Sequence, residues 1–105
     1  MAGSDPQEAP QFLVHRDGDH VGVAVTDLEP GPVKGAVLAT NRDISAEVRH
    51  AVPLGHKFAL ADRAAGDDVI EYGVRIGVAT AAIARGDYVH VHNLRSARWP
   101  QSQSN

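Results

Sequence analysis

The chain has 105 residues, a formal net charge of −3 and no cysteine. This length suits one small domain, and the negative charge argues against a general nucleic-acid binder, which needs a basic surface to neutralise phosphates. The lack of cysteine excludes disulfides, thiolate metal sites and a cysteine nucleophile, and we expect a cytoplasmic protein. No apolar run is long enough to span a membrane, so a membrane role is not expected.

Polar segments stand at both ends of the sequence. Residues 1–11 contain two prolines and lack the basic and apolar regions of a signal peptide. Residues 99–105 form a polar tail. We expect both segments to be disordered and a single domain to occupy residues 12–98.

Short β-strands account for most of the predicted domain. In residues 21–25, valine alternates with glycine and alanine, which predicts a strand with one thin face that another backbone can approach closely. Gly-Asp pairs at 18–19, 66–67 and 86–87 each predict a turn before a β-prone stretch. In chain order, strands are predicted over residues 12–16, 21–27, 35–39, 44–50, 57–61, 69–72 and 88–93.

Two segments are expected to lie outside the strands. Residues 29–32 contain two prolines and predict a loop. Residues 76–85 are rich in alanine and favour helix, although Gly77 and Gly86 limit it to about two turns. The fold class predicted is therefore all-β, with one or two short helical turns.

His90 and His92 alternate with Val89 and Val91. In a strand, both imidazoles would lie on one face, about 7 Å apart. Such a pair can contribute to a metal site, bind an anion, transfer a proton, or simply form the polar face of a ribbon. Because no thiolate or third ligand accompanies them, we do not expect a complete metal site in this chain, while a site shared with another chain stays open. Asn93 could add its amide to carboxylate binding by His92.

Other candidate residues lie at predicted strand ends. His56 and Lys57 follow a Pro-Leu-Gly turn, where they could bind an anion and move a proton, or form only an exposed charged rim. His15 and Asp19 could hold a divalent ion, although Asp-Gly-Asp is also common in hairpin turns. Tyr72 is either a core residue with its hydroxyl at the edge or a hydrogen-bonding partner of a substrate.

Five short motifs occur in a fixed order along the chain. They are GHKFAL at 55–60, VIEYG at 69–73, IGVA at 76–79, IARG at 83–86 and HVHN at 90–93. Together they resemble the N-terminal SAF domain of the altronate and galactarate dehydratase family, with similarity over about residues 12–98. The resemblance implies a β-clip fold, a small, mostly-β unit with long bent hairpins.

The resemblance also implies a partner and a reaction. In altronate dehydratase the module is fused to a large catalytic domain, whereas this sequence ends at Asn105, so we expect a separate large catalytic subunit. Residues 33–54 are similar in length to the same region of the small subunit of two-chain lyases such as (2R)-sulfolactate sulfo-lyase. The implied activity is β-elimination from a small anionic 2-hydroxy acid. A divalent metal, iron or magnesium, would be held mainly by the large subunit.

The site expected from the resemblance combines the candidates above. The catalytic pair is His56 and Lys57, the substrate contacts are His92, Asn93, His15 and Tyr72, and the weak metal candidates are His15, Asp19 and His90. The alternative is a non-catalytic SAF module that regulates a partner protein or binds an acidic sugar. Exposed strand edges would also favour self-association of the isolated chain.

Overall fold

The computed structural model describes residues 9–96, which form nine strands and no helix. The strands are β1 (Phe12–Val14), β2 (Val21–Ala24), β3 (Gly31–Val37), β4 (Arg42–Val48), β5 (Lys57–Ala59), β6 (Asp68–Glu71), β7 (Val74–Ala79), β8 (Tyr88–Val89) and β9 (Leu94–Ser96). The predicted all-β class is confirmed, but the expected short helical turns are not found within residues 9–96. Accordingly, this part of the chain offers no helix that could cross a membrane. The predicted tails fall almost wholly in residues 1–8 and 97–105, outside the described residues.

The strands form two sheets. The larger sheet has the order β4-β3-β1-β2-β5-β8, and the smaller one has the order β6-β7-β9. Neighbouring strands are antiparallel except β1 and β3, which run parallel with Phe12 opposite Gly35. A Cβ atom at Gly35 would lie 2.5 Å from the carbonyl oxygen of Phe12 and 2.7 Å from its ring. Gly35 is therefore required where β1 and β3 approach each other.

The core is divided into two clusters of buried apolar side chains. In the first, Phe12 and Phe58 meet edge to face with ring centroids 5.0 Å apart. A Cβ atom at Gly22 would lie 3.0 Å from the Phe12 ring and 3.5 Å from the Phe58 ring. These two rings, rather than another backbone, therefore fill the thin face predicted for β2. The second cluster contains Val21, Ala59, Val69, Ala79, Ile83 and Val89.

The three Gly-Asp pairs form turns of one kind, as predicted. In each turn the aspartate side chain accepts a hydrogen bond from the N–H three residues earlier, and the aspartate N–H donates to the carbonyl of that same residue. The donors are Arg16, Ala64 and Ala84, with N···O distances of 3.2, 2.8 and 2.9 Å. The bond from Ala64 is the main reason that the pKa of Asp67 is lowered. We call these the first (18–19), second (66–67) and third (86–87) Gly-Asp turns.

The second and third Gly-Asp turns are connected reciprocally. The Ala59 N–H donates to the Asp87 carbonyl and the Gly86 N–H donates to the Ala59 carbonyl, at 2.9 and 2.8 Å. The same pair of bonds, with the same lengths, joins Ala79 to the second turn. The third turn thus binds the end of β5, which precedes the second turn, and the second turn binds the end of β7, which precedes the third turn.

The proline-containing loop predicted over residues 29–32 is partly wrong. Strand β3 begins at Gly31 and includes Pro32, which stands opposite Glu47 of β4. On the other side, β1 pairs with β3 only from Gly35 onward. The proline therefore occupies a stretch of β3 with an open edge, where a missing N–H removes no ladder bond.

The alanine-rich segment predicted as helix, residues 76–85, contains no helix, and its first four residues belong to strand β7. Strand β7 pairs with β6 on one side and β9 on the other. A Cβ atom at Gly77 would lie 2.4 Å from the Arg95 carbonyl oxygen, so glycine permits the close approach of β9. Pairing on both edges of β7 overrides the helix propensity of this stretch, because propensity is weak compared with tertiary pairing.

The strand predicted over residues 88–93 is wrong beyond Val89. The side-chain oxygen of Asn93 accepts a hydrogen bond from the His90 N–H at 3.0 Å, and its amide donates to the Tyr88 carbonyl at 2.9 Å. These bonds close a turn directly after β8. His90 and His92 therefore lie in a turn and do not share a strand face.

Candidate functional site

The β6–β7 hairpin is attached to the larger sheet through the segment that precedes β2. Asp19 is 6% exposed, and its carboxylate accepts backbone hydrogen bonds from Tyr72 at 3.0 Å and Gly73 at 3.2 Å, besides the bond within its own turn. Both Asp19 oxygens thus accept hydrogen bonds from the turn between β6 and β7. In this turn Tyr72 has a φ of 60°. The carboxylate suggested as a metal ligand acts as a clamp in this structure.

His20 makes a second attachment of the hairpin. Its N–H donates to the Ile70 carbonyl at 2.8 Å, and its Nδ1 accepts from the Ile70 N–H at 3.0 Å. Burial is the largest cause that lowers the pKa of His20, followed by the nearby Arg63 guanidinium. The neutral imidazole is therefore favoured, which agrees with Nδ1 serving as an acceptor.

Glu71, the last residue of β6, lies between two basic side chains. It is 1% exposed, with Lys57 Nζ 3.1 Å from Oε1 and His15 Nε2 3.4 Å from Oε2. Both oxygens are buried, and neither contact has hydrogen-bond geometry, so we describe them as ion-pair contacts only. Tyr72 stacks on His15 with ring centroids 3.8 Å apart. The structure thus brings three predicted site residues, His15, Lys57 and Tyr72, together around Glu71.

A wide cleft of about 830 Å³ opens between these residues and β9. Lys57, Glu71 and Tyr72 contribute to its walls, together with Arg75 of β7 and Leu94 of β9. Arg75 lies 3.6 Å from the Asp68 carboxylate, and both side chains are more than half exposed. The wide cleft is therefore lined by cationic side chains above a buried carboxylate.

A narrow cleft of about 280 Å³ lies on the other side of Lys57. His56 and His90 line it, and Lys57 and Leu94 belong to both clefts. His56 Nδ1 is 2.5 Å from the Tyr88 hydroxyl, which can donate to or accept from this nitrogen according to the tautomer. The Nε2 atom of His56 is then the ring nitrogen left for another partner.

Four rings gather beside the narrow cleft. Tyr88 lies at the centre, with ring centroids 5.7 Å from His56, 5.6 Å from His90 and 5.7 Å from His92. The His56 and His90 centroids are 4.8 Å apart. Three predicted histidines therefore converge on one tyrosine, although not by strand alternation. Asn93 is 6% exposed, and its bonds to the backbone shape the turn that carries His90 and His92.

The described part of the chain contains no complete metal-binding site. Residues 9–96 contain no group of three or more His, Asp or Glu side chains that could hold a metal ion. The Asp19 carboxylate already binds backbone N–H groups, and His15 faces Glu71. The side chains of this region therefore do not fit a metal centre of their own.

Two residues of the site, Glu71 and Tyr88, were not singled out from the sequence. Glu71 had a recognisable signal, because strand alternation places it on the same face as the core residue Val69. A carboxylate at a core position calls for a cationic partner. Tyr88 stands two residues before His90, but its bond to His56 spans 32 positions and has no local signal.

The known proteins that are similar to this chain share one domain family. Residues 10–97 match the altronate/galactarate dehydratase SAF domain. The chain is 42% identical over 90 residues to the (2R)-sulfolactate sulfo-lyase subunit alpha of Chromohalobacter salexigens, which covers 84% of this chain and 96% of that protein. It is 46% identical over 86 residues to the altronate dehydratase of Escherichia coli, covering 82% of this chain but 16% of the dehydratase.

The galactarate dehydratase (L-threo-forming) of Escherichia coli shows the same relation. It is 34% identical over 85 residues, which are 79% of this chain and 15% of the dehydratase. The chain thus spans nearly the whole sulfo-lyase subunit and about a sixth of each dehydratase. With a match that covers all nine strands, the chain belongs to the altronate/galactarate dehydratase SAF-domain family.

Proposed function

We propose that this chain is the small subunit of a two-chain hydroxy-acid lyase and completes an active site carried mainly by a separate large subunit. The observation that supports this most is the extent of the similarity. It covers 96% of a protein named as subunit alpha of a sulfo-lyase, and 16% of a dehydratase in which the module is one part of a longer chain. The lyase or dehydratase names of these relatives support an elimination reaction.

The proposed reaction is β-elimination from a 2-hydroxy carboxylate. A base removes the proton from the carbon next to the carboxylate, and the electrons of that C–H bond form a C=C bond. The C–O or C–S bond on the adjacent carbon breaks, and the leaving group departs with its electron pair as water, after protonation, or as sulfite. A divalent metal, iron or magnesium, would polarise the carboxylate and the leaving group. We assign its binding to the large subunit.

The residues of the two clefts support defined tasks for this chain in the proposed reaction. Lys57 stands between the clefts and would pair with the substrate carboxylate. His56 would donate or accept a proton through Nε2, because Nδ1 faces the Tyr88 hydroxyl. Tyr72 lines the wide cleft, His15 stacks on Tyr72 and His92 lies beside Tyr88, and these three side chains are proposed to contact the substrate. Asn93 would act indirectly by shaping its turn.

The test is turnover by the chain co-purified with its large subunit. Sulfite release from (2R)-sulfolactate and dehydration of altronate would be followed for the wild type, His56→Ala and His50→Ala. We expect His56→Ala to lower turnover by about 100-fold or more, the usual contribution of a proton-transfer group. His50 is the matched control, because this exposed histidine contacts Asp87 away from the clefts. Unchanged turnover in His56→Ala removes His56 from the site.

The alternative binding module is distinguished by calorimetry. If the isolated chain binds altronate or sulfolactate tightly without the large subunit, the site does not need two subunits. If in addition no complex with the large subunit forms, the proposed lyase function is wrong.

A further inference from the structure

Exposed apolar side chains stand around the two clefts. Tyr72 and Val74 line the wide cleft and are 52% and 58% exposed. Val91 lines the narrow cleft and is 80% exposed. Leu54, at 60%, precedes Gly55, which lines the same cleft. We call these four residues the apolar rim. Large apolar side chains that are exposed together around one pair of clefts mark a surface that another chain covers.

The accessible charged side chains inside the apolar rim are cationic, although the chain as a whole is acidic. Lys57, Arg75, His56 and His90 line the clefts, and the whole sequence has a formal charge of −3. Among the lining side chains that the structure describes, Glu71 is the carboxylate, and it is buried under Lys57. The accessible charges of the cleft walls are therefore those of Lys57 and Arg75, which Glu71 and Asp68 already pair with, and a partner that brings negative charge can share these cations.

This charge distribution argues against a second copy of the chain as the occupant. In a two-fold contact, the same patch of both copies meets around the axis. The cations Lys57 and Arg75 of both copies would then share one interface, and Glu71, the lining carboxylate, is already paired with Lys57 in each copy, so a second copy supplies no further anion from the cleft walls. A different chain that carries acidic groups or a bound anion can supply one.

We infer that the apolar rim and the two clefts form the docking surface for the large subunit, and that the large subunit seals both clefts at the interface. This inference rests on the proposed function. It is supported by the relatives, because the same module is a separate subunit in one protein and part of a longer chain in another. The substrate anion would then lie at the seam, between Lys57 and groups of the large subunit.

The test compares rim variants with a matched control outside the rim. Val74→Asp and Val91→Asp each place a charge at an exposed rim position, while Leu38→Asp does so at a 52% exposed position after β3. Affinity for the purified large subunit would be measured by titration, and retention of the fold by thermal unfolding of each isolated chain. We expect the rim variants to weaken binding by about tenfold or more each, the usual effect at a well-buried interface position. Leu38→Asp should bind like the wild type.

The outcomes separate this inference from the proposed function. If the wild type binds the large subunit and both rim variants bind equally well, the docking surface lies elsewhere and the inference is wrong. If the wild type does not bind, the proposed function fails and the inference fails with it. If sedimentation shows instead that the chain forms a dimer that the rim variants dissociate, the occupant is a second copy and the inference is overturned.

Discussion

Replacement of Asp19 tests whether the hairpin beside the wide cleft depends on one carboxylate. Asp19→Ala removes the acceptor of three backbone hydrogen bonds, at 3.0, 3.2 and 3.2 Å. Hydrogen bonds to a charged group contribute about 1.5–3 kcal/mol each. We assign each of the three bonds a contribution below this range, because two of the bonds are long and water can reach the exposed Tyr72 and Gly73. The expected decrease in the free energy of unfolding is then about 3–4 kcal/mol.

The assay for Asp19→Ala is urea unfolding combined with amide hydrogen exchange. Exchange at Tyr72 and Gly73 should accelerate more than exchange in β1, because these two amides lose their acceptor directly. Asp19→Asn keeps one carbonyl oxygen and should recover about half of the loss. Asp43, an exposed carboxylate on β4, is the control, and Asp43→Ala should change stability by less than about 0.5 kcal/mol. A loss below about 1 kcal/mol for Asp19→Ala would refute the clamp.

Three further predictions concern packing, pH and the narrow cleft. Gly35→Ala should cost about 3 kcal/mol in urea unfolding, the upper end for overpacking, because its Cβ would lie 2.5 Å from a backbone oxygen; a loss below about 1 kcal/mol would contradict this close approach. Because folding lowers the pKa of His20, the unfolded chain binds the proton more tightly, so the free energy of unfolding should fall as the pH drops below about 6.5. His20→Asn should flatten that pH dependence in thermal unfolding, and an unchanged slope would contradict it. Tyr88→Phe should lower turnover of the proposed two-chain enzyme by about tenfold and shift its pH profile, because it removes the partner of His56 Nδ1; an unaltered profile would exclude this positioning role.

The parts of the fold that could be predicted are those with local causes. A Gly-Asp turn closes through bonds between residues three apart, so each of the three turns was recognisable from its own few residues. Strand β7 was not recognisable in this way, because the alanine-rich sequence of residues 76–85 fits a short helix equally well. Its pairing with β6 and β9 decides the conformation, and those partners cannot be read from the segment itself.

The candidate site was predictable to a similar extent. His56 and Lys57 are adjacent in sequence, and their position after a turn was enough to single them out. Glu71 pairs with residues 14 and 56 positions away, so its role emerges only when the hairpin folds back on the larger sheet. The turn formed by Asn93 could not be predicted either. An asparagine after alternating valines and histidines fits the end of a longer strand as well as a turn that ends the strand earlier.

The reciprocal bonds of the second and third Gly-Asp turns bear on how a partner would be recognised. The third turn binds Ala59 at the end of β5, which carries Lys57, and the second turn, which leads into β6, binds Ala79 at the end of β7. The strands that contribute to the walls of the wide cleft are thus held by backbone hydrogen bonds to these turns. Association with a large subunit would therefore begin from a preorganised surface, and little of the interaction energy would be lost to ordering it.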